Sequence, residues 1–254
     1  MRSFNSLLTA LVLATATLAA GCAAEGDSTA TVDGESSLPG SIDLWQSNDG
    51  WHFHVVAGNK KILLASEAYA SRTAALNGVL STLNNGVDPA SYQVLPAAHG
   101  YLLHLVAGNN EIIGFTETYS TKSSATRAIG SCVRAVTSYL DQVETNKTGA
   151  RVEVTPGAAS SFHWNLFAKN GEIVLSSEAY TTEASAWNGA FAVQDASAVA
   201  TNFVVKTATD GRFYFTLTAE NGQVVGVSQM YTTKESAQTG IASVQTVLRG
   251  LDLI

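Results

Sequence analysis

The sequence predicts an α+β fold: tandem β3-α-β repeats that pair into antiparallel sheets with their helices on one face, in two such domains. Three observations carry this. The phrase "SSEAYTTEASAWNG" at Ser176–Gly189 recurs as "ASEAYASRTAALNG" from Ala65, "FTETYSTKSSATRA" from Phe115 and "VSQMYTTKESAQTG" from Val227. A strand–turn–strand pattern precedes each copy, and a Ser/Thr-led helical pattern runs out of it. Tyr69, Tyr119, Tyr180 and Tyr231 align the copies at separations of 50, 61 and 51 residues. Such self-similarity marks units too small to bury a core alone, so copies must pack together.

The chain opens with Arg2 and an apolar stretch, Leu7–Leu18, interrupted only by threonines. That stretch is too short to span a bilayer comfortably and reads as an export signal, 1–21. Its end, Leu18–Ala19–Ala20–Gly21–Cys22, resembles the lipobox of bacterial lipoproteins, with Ala19 where Leu is usual. The resemblance implies acylation at Cys22. The alternative is an ordinary signal peptide cut near Ala14–Thr15–Ala16 or Leu18–Ala19–Ala20. Residues 22–40 are rich in Gly, Ser, Thr and acid, and bury too little to order themselves, so they are expected to form a tether. The expected location is the bacterial cell envelope, at the outer membrane, with the folded body in the periplasm or at the surface.

Each repeat then offers a short strand and a hairpin. In "RFYFTLTAENGQVVGVS" apolar residues alternate around Asn221–Gly222, a strong hairpin signal because both residues tolerate positive φ in a type I′ turn. Asn170–Gly171 repeats it, and Gly58–Asn59 and Gly108–Asn109 are weaker versions. Helices follow, with Ser71, Thr121, Thr182 and Thr233 placed as N-caps. Behind the caps, Ala75, Gly78, Val79 and Thr82 fall at i, i+3, i+4 and i+7 and form a buried stripe. Its second position is Gly78, Ala128, Gly189 or Gly240, which is expected to let helix and sheet backbones approach closely. Cys132 lies on this stripe and is expected in the core. Trp187, beside it, is read as rim packing or as an exposed contact residue.

The polar stretch YLDQVETNKTG lies inside the longest spacing and suits a boundary. The expected domains are therefore 41–145, with repeats 41–90 and 91–145, and 150–254, with repeats 150–200 and 201–254. At this point the text, above all Ser228–Gln229–Met230–Tyr231 and Gly240–Ile241–Ala242–Ser243–Val244, resembles the YegP-like family of small bacterial proteins of unknown function. The resemblance covers 41–254 and implies a β3-α-β unit, paired in one sheet with exchanged terminal strands. It implies no activity.

The net charge is −7 with no basic stripe, which argues against nucleic acid and against docking to anionic lipid. No phosphate loop, G-x-S-x-G elbow or HExxH occurs, so no catalytic residue, metal or cofactor is assigned. The Glu-x-Tyr pairs Glu67/Tyr69, Glu117/Tyr119 and Glu178/Tyr180 look like acid/base couples, but the fourth copy has Gln229, which cannot move a proton. They are read as the device that fixes the strand-to-helix corner.

Histidines distinguish the copies. Strand alternation puts Trp51, Phe53 and Val55 under the helices and His52 and His54 on the other face. A hairpin through Asn48–Asp49–Gly50 sets Asp43 and Trp45 opposite them, and His104 repeats the position of His54. The second repeat pair has Asn165 and Thr216 there, with His163 matching His52. Asp43, Trp45, His52, His54 and His104 are thus the candidate binding surface. Three readings compete: a solvated sheet face, a contact surface for envelope proteins or glycans, and a site for a metal or small ligand, enzymatic or not.

Overall fold

The computed structural model describes residues 39–145 and 148–251. The expected export signal, the acylation at Cys22 and the tether up to residue 38 lie outside the described residues. The chain forms β1 (Ser41–Ser47), β2 (Gly50–Val56), β3 (Ile62–Ala65) and α1 (Arg72–Asn85), then β4 (Tyr92–Ala97), β5 (Gly100–Val106), β6 (Ile112–Phe115) and α2 (Lys122–Thr145). The order repeats as β7 (Arg151–Pro156), β8 (Phe162–Phe167), β9 (Ile173–Ser176) and α3 (Glu183–Ser197). It closes with β10 (Phe203–Thr207), β11 (Phe213–Thr218), β12 (Val224–Val227) and α4 (Lys234–Gly250). Two antiparallel six-stranded sheets result, ordered β1-β2-β3-β6-β5-β4 and β10-β11-β12-β9-β8-β7. This is the α+β architecture of two tandem domains that the repeats predict.

One expectation taken from the resemblance does not hold. Each unit keeps its three consecutive strands together, and the units meet at β3–β6, through Ala65 and Phe115, and at β9–β12, through Ser176 and Val227. The strand after α1 is β4, which opens the second unit at the far edge of the sheet, so among the described residues no terminal strand is exchanged.

The corner that joins strand to helix is the same four times. Tyr69 and Trp51 exchange two backbone hydrogen bonds of 2.8 Å, and Tyr119/Tyr101, Tyr180/Phe162 and Tyr231/Phe213 do likewise. Before each tyrosine a hydroxyl closes the bend: Ser66 Oγ accepts from Phe53 N–H at 2.9 Å and donates to Glu67 C=O at 2.9 Å. Thr116, Ser177 and Ser228 repeat both bonds. The carboxylates of Glu67, Glu117 and Glu178 are exposed, as is Gln229, so the hydroxyl one residue earlier fixes the corner rather than the Glu or Gln. The four N-caps form as expected, with Ser71, Thr121, Thr182 and Thr233 each accepting an N–H three residues on at 3.1 Å.

The glycines of the buried stripe have a more specific task than bringing backbones together. A Cβ on Gly78, Gly189 or Gly240 would collide with the hydroxyl of Tyr69, Tyr180 or Tyr231. The helix carries a notch there, and the corner tyrosine fills it.

The hairpin turns also differ from expectation. In all four units the turn is a three-residue type, with Lys60 N–H donating to Ala57 C=O at 2.8 Å and Ala57 N–H to Lys61 C=O at 2.9 Å. Only one residue takes positive φ: Lys60 (70°), Asn110 (66°), Gly171 (83°) or Gly222 (81°). The constant asparagine stands just before it, and its side chain accepts the N–H two residues on, as Asn59 does from Lys61 at 3.1 Å. Gly58–Asn59 and Gly108–Asn109 therefore sit one place earlier than Asn170–Gly171, and the left-handed position falls on Lys60 and Asn110. A register shift in each hairpin, such as that at Val55/Val56, turns both Leu63 and Leu64 into the core.

The two helices that open each domain are buried beyond the common stripe. Leu76, Leu80 and Leu83 of α1 are covered, as are Trp187 and Phe191 of α3, and α1 packs against α3. Trp187 is 1% exposed and stacks on Phe191 with ring centroids 5.9 Å apart, so it is packing and not an exposed contact residue. The matching positions of α2 and α4, Thr126 and Gln238, are exposed. Arg72 Nη1 donates to Gln194 Oε1 at 2.7 Å across this contact, and Gln194 Nε2 donates to the carbonyls of Leu248 (3.0 Å) and Leu251 (2.7 Å). Cys132 is wholly buried, and burial pushes its thiol up to about 12, so it is inert core.

Two stability predictions follow from these contacts. Gly240→Ala should lower the urea midpoint despite the better helix propensity of Ala, a net loss of about 1–2 kcal/mol. Tyr231→Phe should be milder in that background than in the parent; strict additivity in the double-mutant cycle would contradict the notch. Lys60→Gly should raise stability by up to about 1 kcal/mol, because a non-glycine residue is strained at positive φ. An unchanged or lower midpoint would contradict it.

Candidate functional site

The face of the first sheet turned away from α1 and α2 carries the residues singled out above. The register pairs Asp43 with His54 and Trp45 with His52, as the hairpin predicts. Ile42 and Phe53 point the other way into the core. β1 is the edge of its sheet, so both imidazoles reach Trp45 from the same side. The His52 ring stacks on Trp45 with centroids 5.5 Å apart and planes at 17°, and the His54 ring lies tilted at 4.3 Å. The indole is thereby held in place and is still 36% exposed. A pinned, half-open aromatic ring gives contact area at little further loss of side-chain freedom.

Asp49 belongs to this group and was missed in the sequence reading. Its carboxylate accepts from the Ser47 hydroxyl and lies 3.0 Å from His52 Nε2. Those two bonds hold its pKa down at about 2. An aspartate in a two-residue turn, three places before a histidine on the adjoining strand, is the local signal that could have found it. His54 is half-buried, and desolvation lowers its pKa from the ordinary 6.5, against the nearby Asp43 carboxylate.

His104 does not join the others. Across the sheet the facing residues run Asp43, His54, Ala65, Phe115, His104 and Gln93. His54 and His104 are thus three strand spacings apart, about 14 Å. They are equivalent under the pairing of the two units, not neighbours. The same face of the second sheet reads Glu153, Asn165, Ser176, Val227, Thr216 and Val204. Glu153 there is bound to Arg151, Nε to Oε1 at 2.5 Å, and the guanidinium lies 4.2 Å over the Phe167 ring. Among the described residues, no three His, Cys, Asp or Glu side chains converge as a metal site.

The burial of His54 has a sign that can be measured. Folding disfavours its charged form, so its contribution to stability is complete above 6.5 and is lost as pH falls through its lower folded value. Between pH 8 and pH 5 the urea midpoint of the parent should therefore fall further than that of His54→Gln. Parallel pH profiles would contradict the burial of a neutral imidazole.

The model of a domain of unknown function, DUF1508, matches residues 46–92, 98–138, 158–203 and 208–250. Each match takes in the second and third strands and the helix of one unit, α2 being matched up to residue 138. The UPF0339 protein YegP of Escherichia coli O157:H7 is 46% identical over 93 residues, 37% of this chain and 84% of that protein. YegP of Yersinia pestis is 42% identical over 106 residues, 40% of this chain and 95% of that protein. The solution NMR structure of yegP from E. coli, a protein of unknown function, aligns at 39% identity over 41% of this chain and 90% of that one, with a TM-score of 0.39. Relatives of this length correspond to one pair of units, and this chain carries two pairs: it belongs to the DUF1508 family, as a tandem of its repeated domain.

Proposed function

We propose that this protein is a lipid-anchored component of the bacterial cell envelope whose folded body is a non-catalytic binding or scaffolding module, and that it meets its partners through the Trp45 face. The anchoring half of this reading rests on the sequence Leu18–Ala19–Ala20–Gly21–Cys22 behind an apolar stretch, and on the acidic, polar residues that follow. No helix among the described residues is long and apolar enough to cross a membrane. The binding half rests on one observation: Trp45 stands 36% exposed on the uncovered side of an edge strand, immobilised by two imidazoles. The matching positions of the other units hold Leu95, Thr155 and Lys206. The four units share their corner and differ here, so the difference does not serve the fold. Large aromatic residues of this kind dominate contact energetics where they occur at interfaces.

Crosslinking in intact cells followed by purification tests both halves. The parent chain should fractionate with membranes and carry at least one envelope component, and Trp45→Ala should keep the membrane fraction while losing that component. A bare monomer under all crosslinking conditions, or capture indifferent to Trp45, would overturn the binding half. Cys22→Ser that stays mature and membrane-bound would overturn the anchoring half.

A further inference from the structure

We infer that the edge of the first sheet at Trp45 is a recognition site for the ammonium group of an organic cation, a ligand class for the same face that was proposed above as the contact surface. The inference therefore rests on that face being used. Its first support is the geometry of the ring. His52 and His54 both come from β2, on one side of Trp45, and among the described residues β1 has no strand on its other side. One flank of the indole is packed and the other is open. An indole face is the best side-chain partner for a cation through its ring quadrupole.

The second support is charge. Asp43 lies two residues from Trp45 on the same strand and the same face, roughly 7 Å away along the strand. Asp49 lies in the turn beyond the other end of Trp45, with its side chain 70% exposed. Asp43 is thus the exposed carboxylate beside the ring on its own strand, and Asp49, held by Ser47 and His52, adds negative charge nearby. No Lys or Arg occurs between Ser41 and Asn59; the next basic residues, Lys60 and Lys61, lie at the turn between β2 and β3, and Lys61 is paired with Glu117 at 2.8 Å. The low pKa of Asp49 keeps it ionised, and burial keeps His54 from adding positive charge at neutral pH. An anionic ligand would meet two like charges here. A neutral apolar ligand would leave the Asp43 carboxylate unused, whereas an ammonium satisfies the ring and Asp43 together.

The third support is that no other unit combines these parts. Where unit one has Asp43 and Trp45, the others have Gln93 and Leu95, Glu153 and Thr155, and Val204 and Lys206. Glu153 is held by Arg151. An exposed indole and an exposed carboxylate two residues away on the same face, with no Lys or Arg on that strand, coincide once among the described residues.

The test is calorimetric titration of the full chain in detergent with choline, with Nα-acetyl-lysine methylamide, and with 3,3-dimethylbutan-1-ol, the uncharged isostere of choline. At least one ammonium should bind and the isostere should not; the stronger of the two identifies a quaternary or a primary amine as the source. Trp45→Leu and Asp43→Asn should each weaken that binding by about three- to thirtyfold. Asp43 is exposed, so its variant reports even if Trp45→Leu disturbs the strand. No binding of either ammonium, equal binding of the isostere, or affinity unchanged in Asp43→Asn would overturn the inference. A flat titration alongside crosslinked capture that still requires Trp45 would remove the ligand class and leave the contact face standing.

Discussion

The structure depends on the contact between each corner tyrosine and the helix that follows it. The tyrosine main chain closes a two-bond bridge onto the hairpin, and in three of the four units its hydroxyl fills the notch left by Gly78, Gly189 or Gly240, the second unit having Ala128 at that position. One residue thereby fixes where the chain leaves the sheet and how high the helix rides above it. The preceding Ser or Thr hydroxyl satisfies the N–H and C=O groups that the bend would otherwise strand in the core. With direction and height set, the Ser/Thr cap starts the helix and the small-residue stripe follows without further instruction. Four units built this way present identical bare edges at β3, β6, β9 and β12, and pairing those edges is what makes a sheet.

What could be read from the sequence was local. Hairpins, caps, the buried stripe and the core position of Cys132 depend on neighbours within about a dozen residues, and each leaves a pattern there. What could not be read depends on partners distant in the chain. His104 matches His54 by repeat, yet the sheet order puts two strands between them, carrying Ala65 and Phe115. The left-handed position of the hairpin moved from the expected glycine to Lys60 because the turn is one residue longer than the Asn-Gly pattern suggests. Trp187 is the instructive case. Its burial requires α1, more than 100 residues earlier, but a trace was present: α1 and α3 carry apolar residues at Leu76, Leu80, Trp187 and Phe191, outside the common stripe. α2 and α4 have Thr126, Gly130, Gln238 and Ala242 at those places. Helices apolar on two sides are buried on two sides.

The same logic separates scaffold from function. The corner tyrosine and the hydroxyl before it agree in all four units, while positions on the uncovered sheet faces diverge, because a solvated face places few demands on its residues. The second sheet uses that freedom for an Arg151–Glu153 pair over Phe167, which is self-satisfied. The first uses it for Trp45, whose ring is restrained on one flank and open on the other. Beside it on the same strand and face stands the exposed carboxylate of Asp43, while Asp49 in the adjoining turn is held by Ser47 and His52.

Amide hydrogen exchange at the four corner tyrosines tests the central constraint most directly. If the bridge and notch hold each unit together, the N–H groups of Tyr69, Tyr119, Tyr180 and Tyr231 exchange as slowly as those of core strand residues such as Phe53 and Leu103, and open only with the whole domain. Exchange at the rate of the hairpin turns, around Lys60 or Asn110, would mean that the corner opens while the sheet stays folded, and would contradict the account.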